Sequence, residues 1–305
     1  MFRTVIVNTG ERIQVRNNWL VVLAKDEEQR IPIEDIYCLV LDNQQTIVTV
    51  PAITALTNAG IHMLICDDKH MPTSAVYAHN THYRPLNVLK KQIAMVPEFK
   101  DTLWKEVVRA KLYNQARVLE FSCLPFEKSI RLYQLMDEVE AGDIGNREGI
   151  AAKWYFRALF GSSFLRFNDD GINKALNYGY SIIRSAVAKT LTAYGYNSVL
   201  GIHHINESNP FNLADDLMEP LRPLVDIWVD QNHEELLIDL TKQQRKELIN
   251  LVNHTMLCDG KKMRVRNAID KYISSFTSAI ETGNAGKIHF PILVRNNKLM
   301  DDTDG

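Results

Sequence analysis

Short runs of aliphatic, β-branched and aromatic residues, separated by polar residues, characterise the first 80 or so positions of the chain. Runs of this length and composition are typical of β-strands. Pro51 and Gly60 bound a helical stretch, residues 52–58, because proline suits the first helical turn and glycine the position after the last one. The N-terminal part is therefore predicted to be mainly β. Its predicted strands are residues 4–7, 12–16, 19–23, 36–41, 46–50 and 61–66.

From about residue 84 onward, apolar positions recur with the 3.6-residue period of a helix, and the rest of the chain is predicted to be all-helical. The longest predicted helices are residues 97–121, 146–159, 172–194 and 242–257. Turn-forming residues mark the join at 79–85. We therefore expect an α+β protein with a mainly β domain over residues 1–82 and a larger all-α domain over residues 83–305, ending in an acidic tail, 301–305, that frays.

The composition is that of a globular protein, with 46% hydrophobic and 24% charged residues. No apolar run approaches the roughly 20 residues that span a bilayer, so we expect no membrane association. The four cysteines, Cys38, Cys66, Cys123 and Cys258, form no C-x-x-C pair. We expect reduced, buried thiols in an intracellular protein.

Charge is distributed unevenly, although the net charge is only −2. Residues 84–117 and 242–271 each hold eight basic against three acidic side chains, whereas residues 205–240 hold nine acidic side chains and one arginine. This distribution suits a metal-dependent enzyme that acts on a polyanion, because cations neutralise phosphates and carboxylates hold the ion. Solvated helix faces are the alternative explanation.

Glu148 is the first candidate for chemistry. In a helix that begins near residue 146, it shares a stripe with Ala152 and Tyr155 and faces the core side. An unpaired buried carboxylate costs several kcal/mol, so Glu148 needs a cation, either a metal ion or an arginine such as Arg147 or Arg184. Alternatively, Glu148 complements the dipole at the helix N-terminus.

A second cluster follows the sequence Gly-Ile-His-His. Asp216 and Glu219 are three residues apart and share a helix face, and Asp226 lies two turns further along that face. Carboxylates with one imidazole, from His203 or His204, suit Mg²⁺ or Mn²⁺ better than zinc and favour phosphodiester chemistry. A salt-bridge network with Arg222 would explain the same spacing.

Four segments together resemble the CRISPR-associated integrase family, protein one of the spacer-acquisition machinery. They are residues 146–155, 176–180, 201–204 and 215–223, and residues 66–72 are also similar. The resemblance covers about residues 1–285. The version Asp-Leu-Met-Glu-Pro at 216–220 resembles the branch found in type II systems.

The resemblance implies roles for individual residues. By this resemblance Glu148, His204 and Glu219 are the catalytic residues and the ligands of a divalent metal, Mg²⁺ or Mn²⁺. Asp216 matches an auxiliary acidic position, and His203 is the alternative ligand if His204 is not one.

The implied reaction joins the 3′-hydroxyl of captured double-stranded DNA to a CRISPR repeat by transesterification, without a covalent protein intermediate. Family members form homodimers, expected here through the N-terminal domain, and bind the companion CRISPR-associated protein two in the prokaryotic cytoplasm. Two other functions stay open: a metal-dependent endonuclease of branched DNA, and a non-catalytic DNA-binding scaffold. The expected contacts to the DNA backbone are Lys90, Lys91, Arg109, Arg245 and Arg264.

Overall fold

A strand-rich N-terminal region precedes a helical region in the computed structural model, which describes residues 3–9, 12–25, 27–78, 82, 84–236 and 239–295. The predicted α+β fold class is confirmed. The predicted acidic tail, residues 301–305, and four residues of the predicted join, 79–81 and 83, lie outside the described residues. The domain boundary at residue 82 stays a prediction.

The described N-terminal residues form two four-stranded sheets. Their strands are β1 (Arg3–Val7), β2 (Arg12–Arg16), β3 (Trp19–Ala24), β4 (Glu27–Pro32), β5 (Ile36–Leu41), β6 (Ile47–Val48), β7 (His62–Cys66) and β8 (Pro72–Val76), with helix α1 (Val50–Asn58) between β6 and β7. The first sheet has the order β1-β5-β7-β8. Strands β1, β5 and β7 are parallel, and β8 pairs with β7 in the antiparallel direction. The second has the order β4-β3-β2-β6.

Strands β4 and β8 were not predicted from the sequence. Most residues of β4 are polar and exposed, and its place is fixed by pairing with β3 rather than by its own hydrophobicity. β8 likewise lies at a sheet edge, paired only with β7. Edge strands need little burial of their own, so their sequences carry a weak signal.

The helical region is built around two long helices, α3 and α6. Its helices are α2 (Pro85–Ile93), α3 (Pro97–Phe121), α4 (Phe126–Asp137), α5 (Arg147–Phe160), α6 (Gly171–Ala193), α7 (Asn212–Met218), α8 (Arg222–Asn232), α9 (Lys242–Asn250) and α10 (Val265–Thr282). None of the helices in the described ranges is long and apolar enough to cross a membrane.

The expectation that this region is all-helical is corrected by a small antiparallel sheet, ordered β10-β9-β11. Its strands are β9 (Thr255–Cys258), β10 (Lys261–Arg264) and β11 (Ile292–Leu293). The helix predicted over 242–257 therefore ends at Asn250. Asp259 and Gly260 both have positive φ (51° and 71°), the geometry of a two-residue hairpin turn, and this turn reverses the chain between β9 and β10.

Strand β5 is buried on both faces. Leu39 and Leu41 face the core between the two N-terminal sheets, whereas Cys38 and Val40 face the core of the helical region. Successive side chains of a strand point to opposite faces, so one strand contributes to both cores.

The four cysteines are free thiols. Cys38, Cys66 and Cys258 are buried as expected, but Cys123 is exposed and corrects the expectation that all four are buried. Cys123 follows the end of α3 and has a positive φ of 54°, so it lies in the turn that leaves the helix.

Candidate active site

The start of α5 positions Glu148. Asn146 caps the helix, and its side chain accepts a hydrogen bond from the Gly149 amide at 3.3 Å. The Asp143 carboxylate accepts the amide N–H groups of Arg147 and Glu148 at 2.8 and 3.0 Å. Because Asp143 already serves these amides, the carboxylate of Glu148 is not needed as a helix cap.

Two candidate carboxylates meet at one ammonium group. Lys111 on α3 places Nζ 2.5 Å from Oε1 of Glu148 and 2.6 Å from Oε2 of Glu219. Lys111 is 5% exposed and Glu219 is 2% exposed. Glu219 opens the single 3₁₀ turn between α7 and α8, where Pro220 follows it and interrupts the helical hydrogen bonding. Helix α3, helix α5 and this turn therefore converge on one buried positive charge.

The arginines named as partners for Glu148 are elsewhere. Arg147 pairs with Glu138 at 3.0 Å, and Arg184 lies 3.9 Å from Asp215. That expectation was wrong, and Lys111 was missed. The available signal was a lysine on the apolar stripe of α3, four and three positions after Val107 and Val108.

The charges at this point stabilise one another. Burial opposes the charge of Lys111, yet Glu219 and Glu148 together raise its pKa above the ordinary value. The Lys111 charge in turn lowers the pKa of Glu148, against the effect of burial. Arg222 pairs with the other oxygen of Glu219, Oε1, at 3.0 Å. The Arg222 contact is the salt bridge that the spacing allowed.

His204 is positioned by Asp216, which is completely buried at the base of the 201–204 loop. The Asp216 carboxylate accepts the amide N–H groups of Ile202, His203 and His204 at 2.7, 3.1 and 3.0 Å. It also contacts Nδ1 of His204 at 2.6 Å. This hydrogen bond raises the pKa of His204 and leaves Nε2 as the ring nitrogen for a ligand.

The 201–204 loop requires glycine at its first position. A Cβ on Gly201 would lie 2.3 Å from the carbonyl oxygen of His204 and 2.8 Å from Oδ2 of Asp216. His203 is held differently from His204, since its ring stacks on Trp104 with centroids 4.1 Å apart and planes within 1°. Of the two histidines, His204 is therefore the one oriented by a carboxylate.

The donor atoms of Glu148, Glu219 and His204 are of the kind that bind a hard divalent ion. The carboxylates of Glu148 and Glu219 both face the position that the Lys111 ammonium occupies. Oε2 of Glu219 is a buried oxygen that faces the Lys111 ammonium at 2.6 Å. His204 is near enough for its charge to act on both carboxylates. As they are arranged here, no three His, Cys, Asp or Glu side chains among the described residues are already grouped around a metal position, and the Lys111 ammonium lies between Glu148 and Glu219. The three side chains could hold an ion only if the ammonium left this position.

Asp226 does not join Glu219, although the spacing put them on one face. It is buried and accepts hydrogen bonds from the hydroxyls of Tyr155, at 2.9 Å, and Tyr180. Burial raises the pKa of Asp226 to about 6. Asp226 therefore belongs to a separate network beside the carboxylate pair.

Three of the predicted DNA contacts lie on α2 and α3. Lys90 is exposed. Lys91 pairs with Glu281 at 2.7 Å, and Arg109 donates to the Met136 carbonyl at 2.8 Å. Only Lys90 of these three has no ion pair or hydrogen bond recorded among the described residues.

The other two predicted DNA contacts lie after residue 240. Arg245 on α9 is buried, pairs with Asp42 at 3.2 Å and donates to the Leu240 carbonyl. Arg264 is half-buried at the end of β10. The geometry of Arg245 is that of a structural link between the first sheet and α9.

The family model described as CRISPR associated protein Cas1 matches residues 4–246. The CRISPR-associated endonuclease Cas1 of Neisseria meningitidis serogroup C (strain 8013) is 36% identical over 292 residues, which cover 95% of this chain and 96% of the relative. The chain belongs to the Cas1 family. A second Cas1 relative, from Francisella tularensis subsp. novicida (strain U112), is 23% identical over 90% of this chain and 94% of its own.

Solved structures share the Cas1 fold. A casposase bound to integration product superposes with a TM-score of 0.75 at 19% identity, covering 97% of this chain and 96% of that one. A chain of a Cas6-RT-Cas1–Cas2 complex gives 0.72 at 19% identity, covering 96% of this chain and 36% of that one. A Cas1 protein from Thermotoga maritima gives 0.69 at 14% identity, covering 92% and 98%. The β-then-α layout is therefore that of the Cas1 family.

Proposed function

We propose that this Cas1-family chain is a metal-dependent DNA integrase of CRISPR adaptation, joining the 3′-hydroxyl ends of captured DNA to a CRISPR repeat by transesterification. The observation that carries the proposal is the convergence of Glu148 and Glu219 on one buried cation. Acids of such a pair repel each other and are costly to bury, so they are expected where a bound cation is part of the chemistry.

Glu148, Glu219 and Nε2 of His204 would hold the divalent ion, which we propose to be Mg²⁺ or Mn²⁺. When bound, such an ion orients the phosphate, neutralises charge on its oxygens and helps the attacking hydroxyl lose its proton. Asp216 acts as a positioning residue that fixes the ring of His204, and Arg222 holds the second oxygen of Glu219. Precise placement of the reacting groups supplies most of the remaining acceleration.

The proposed partners are double-stranded DNA, a second copy of this chain and the companion protein two. Two DNA ends must be inserted, which favours two copies of the site, and we assign the dimer contact to residues 1–82. A structural neighbour from a complex that contains Cas2 supports the companion. The proposed place of action is the prokaryotic cytoplasm. Lys90, Lys91, Arg109 and Arg264 stay proposed as backbone contacts, whereas the buried pairing of Arg245 favours a structural role.

A second candidate is a metal-dependent endonuclease, in which water replaces the DNA hydroxyl as the nucleophile. The same three side chains would serve it, and the curated relatives carry the word endonuclease in their names. A non-catalytic scaffold is less favoured, because the relatives that match most of this chain are named endonucleases. The reaction products distinguish the two activities, because an integrase produces joined DNA whereas an endonuclease produces only cleaved DNA.

The testing experiment combines the protein with its companion, a short duplex and a supercoiled plasmid that carries the repeat. We expect joining with Mg²⁺ or Mn²⁺ and none with EDTA. Glu148→Gln should reduce joining by at least about 100-fold, on the scale of removing one electrostatic catalytic group, while DNA affinity changes less than about twofold. Glu127→Gln, at an exposed acid on α4, is the matched control and should retain joining. Wild-type joining by Glu148→Gln would defeat the proposal.

A further inference from the structure

The turn that carries Glu219 is held by few hydrogen bonds of its own backbone. Pro220 and Pro223 have no amide hydrogen, so neither can donate the i→i−4 bond that would continue helix α7 into helix α8. The two helices are joined by a single 3₁₀ turn, in which the Arg222 amide donates to the Glu219 carbonyl. The placement of Glu219 therefore depends on contacts from other parts of the chain.

Asn114 on α3 supplies one such contact. Its side chain is completely buried, and Nδ2 donates a hydrogen bond to the carbonyl oxygen of Pro220, the residue after Glu219, at 2.7 Å. Asn114 lies three positions after Lys111, so the two side chains share one face of α3. The helix thus holds the turn at two points, by the ammonium that faces Glu219 and by the amide that faces Pro220. If a divalent ion displaces the ammonium, the contact from Asn114 remains.

The same side chain also binds segment 291–293, which contains strand β11. Nδ2 of Asn114 donates to the Pro291 carbonyl at 2.8 Å, and Oδ1 accepts the Leu293 amide at 3.0 Å. A residue of a neighbouring strand bonds the same two groups in a parallel sheet, so Asn114 takes the place of a strand beside β11. The two amide hydrogens of Asn114 match its two carbonyl acceptors, one on the Glu219 turn and one on the segment.

Segment 291–293 is itself a fixed part of the fold. Its strand β11 pairs with β9 in the antiparallel direction, and Leu293 is 3% exposed in the core of the helical region. The hydrogen bonds of Asn114 to Pro220, Pro291 and Leu293 form what we call the Asn114 link. Breaking this link would leave buried polar groups without partners on the turn, on the segment and on α3, which is costly. The link therefore favours one position of the turn relative to α3.

We propose that Asn114 is a positioning residue of the active site and that, through it, segment 291–293 holds Glu219 in place to bind the divalent ion. This inference rests on the proposed function, because it takes Glu219 as a ligand of the ion. Asn114 fixes the Pro220 carbonyl, and the segment keeps the Asn114 amide from turning away. A purely structural role would lower the free energy of unfolding without changing the affinity of the folded protein for the ion.

Hydrogen exchange in EDTA tests the Asn114 link without metal or DNA. A chain that ends after Phe290 lacks segment 291–293, whereas a chain that ends after Arg295 keeps it and is the matched control. In the shorter chain the Arg222 amide should exchange about tenfold faster, the scale of one lost hydrogen bond, and in the control at the wild-type rate. Asn114→Ala, in the full chain, should speed exchange at Arg222 in the same way. Unchanged exchange at Arg222 in both variants would overturn the link.

Mn²⁺ affinity, measured without DNA from the electron paramagnetic resonance signal of free Mn²⁺, tests the consequence for the metal site. The chain that ends after Phe290 and Asn114→Ala should each bind Mn²⁺ about tenfold more weakly than the wild type, the scale of removing a group that orients a metal ligand. In the Asn114→Ala background the truncation should add no further loss, because the link is already broken.

Asn173→Ala is the matched control for the Mn²⁺ measurement. Asn173 on α6 is also a buried asparagine, 2% exposed, and its side chain donates to the Leu165 carbonyl at 2.9 Å. Its loss should lower the free energy of unfolding but leave Mn²⁺ affinity at the wild-type value. Thermal unfolding checks that each variant is folded at the temperature of the measurement.

The wild-type protein offers a further test that does not depend on the folding of a truncated chain. Coupling is reciprocal, so a link that strengthens ion binding about tenfold is itself strengthened about tenfold when the ion is bound. Saturating Mn²⁺ should therefore slow exchange of the Leu293 amide by up to about tenfold, and Glu219→Gln should remove this effect. Exchange at Leu293 that ignores bound Mn²⁺ would overturn the positioning role.

The outcomes keep the two proposals apart. If the wild type binds Mn²⁺ and neither change alters its affinity, the positioning role of Asn114 is wrong while the metal site of the integrase stands. If the losses from the truncation and from Asn114→Ala add in the double variant, the role of segment 291–293 is wrong. If the wild type binds no Mn²⁺ and joins no DNA, the proposed function is wrong, and exchange at Arg222 alone decides whether the Asn114 link exists.

Discussion

At the residue scale, Lys111 takes the position that a divalent ion is proposed to take. Its ammonium lies within 2.6 Å of both acids and is almost completely buried. A lysine is a single charge with tetrahedral donors, whereas a divalent ion carries twice the charge at one point. The lysine and the metal are therefore expected to compete for the same carboxylate oxygens.

Lys111→Met tests this competition. Removing the ammonium leaves two buried carboxylates facing each other, and we expect a loss of about 3 kcal/mol in the free energy of unfolding in EDTA. Added Mn²⁺ should stabilise Lys111→Met more than it stabilises the wild type. Urea unfolding with and without Mn²⁺ measures both effects, and Lys153→Met, at an exposed lysine on α5, is the control. An equal or smaller Mn²⁺ effect in Lys111→Met would contradict competition.

Asp226 predicts a pH dependence of stability. Its pKa is raised by burial to about 6 from an ordinary 3.8, against hydrogen bonds from Tyr180 and Tyr155 and the charges of Arg166 and Arg222. Below the ordinary value the acid is neutral in both states and costs nothing. As pH rises towards 6, the unfolded chain loses this proton first, so stability falls and the full cost, about 3 kcal/mol, is present above pH 6.

Asp226→Asn removes the titration while keeping an acceptor for the tyrosines. Relative to the wild type, we expect the variant to gain about 3 kcal/mol in free energy of unfolding between about pH 4 and about pH 8. Urea unfolding of both proteins across this range is the measurement. A stability difference that does not change with pH would show that the pKa of Asp226 is not raised in the folded protein, because the acid would then lose its proton at the same pH in both states.

At the element scale, the 201–204 loop depends on a residue without a side chain. Gly201→Ala would force a Cβ against the carbonyl oxygen of His204, a backbone atom that cannot move without carrying the imidazole with it. We expect a loss of about 2 kcal/mol in free energy of unfolding and a marked loss of joining. Gly145→Ala, where the nearest atom is 3.5 Å away on the Arg147 side chain, is the control. Equal urea midpoints for the two variants would refute the close approach.

The long helices were predictable because their ends carry local signals. Pro97 opens α3, Asn146 caps α5, and both helices keep an apolar stripe over several turns. Shorter elements such as β4 and β9 were missed. Most residues of β4 are polar and exposed, so its sequence gives no strand pattern, and β9 depends on the Asp259–Gly260 turn and on β11, which is distant in sequence.

The carboxylates and the imidazole could be named from the sequence, but their surroundings could not. Lys111 is 37 positions before Glu148, and nothing in the spacing links the two. The contact between Asp216 and Nδ1 of His204 could not be predicted either, because the spacing of the residues placed Asp216 only on a helix face. Long-range ion pairs become visible only once helix packing is known.

At the scale of the whole molecule, the link between the first sheet and the helical region is both apolar and charged. Cys38 and Val40 of β5 extend the helical core, and Asp42 just after β5 holds both Arg245 of α9 and His70. A change in either region is therefore felt in the other.

The two-sided burial of β5 limits how the protein can be divided. A helical fragment prepared alone would lack the wall that Cys38 and Val40 provide, and the bared surface would invite self-association. A fusion or a minimal version of this protein must therefore carry both regions, since the strand that completes the helical core lies within residues 36–41.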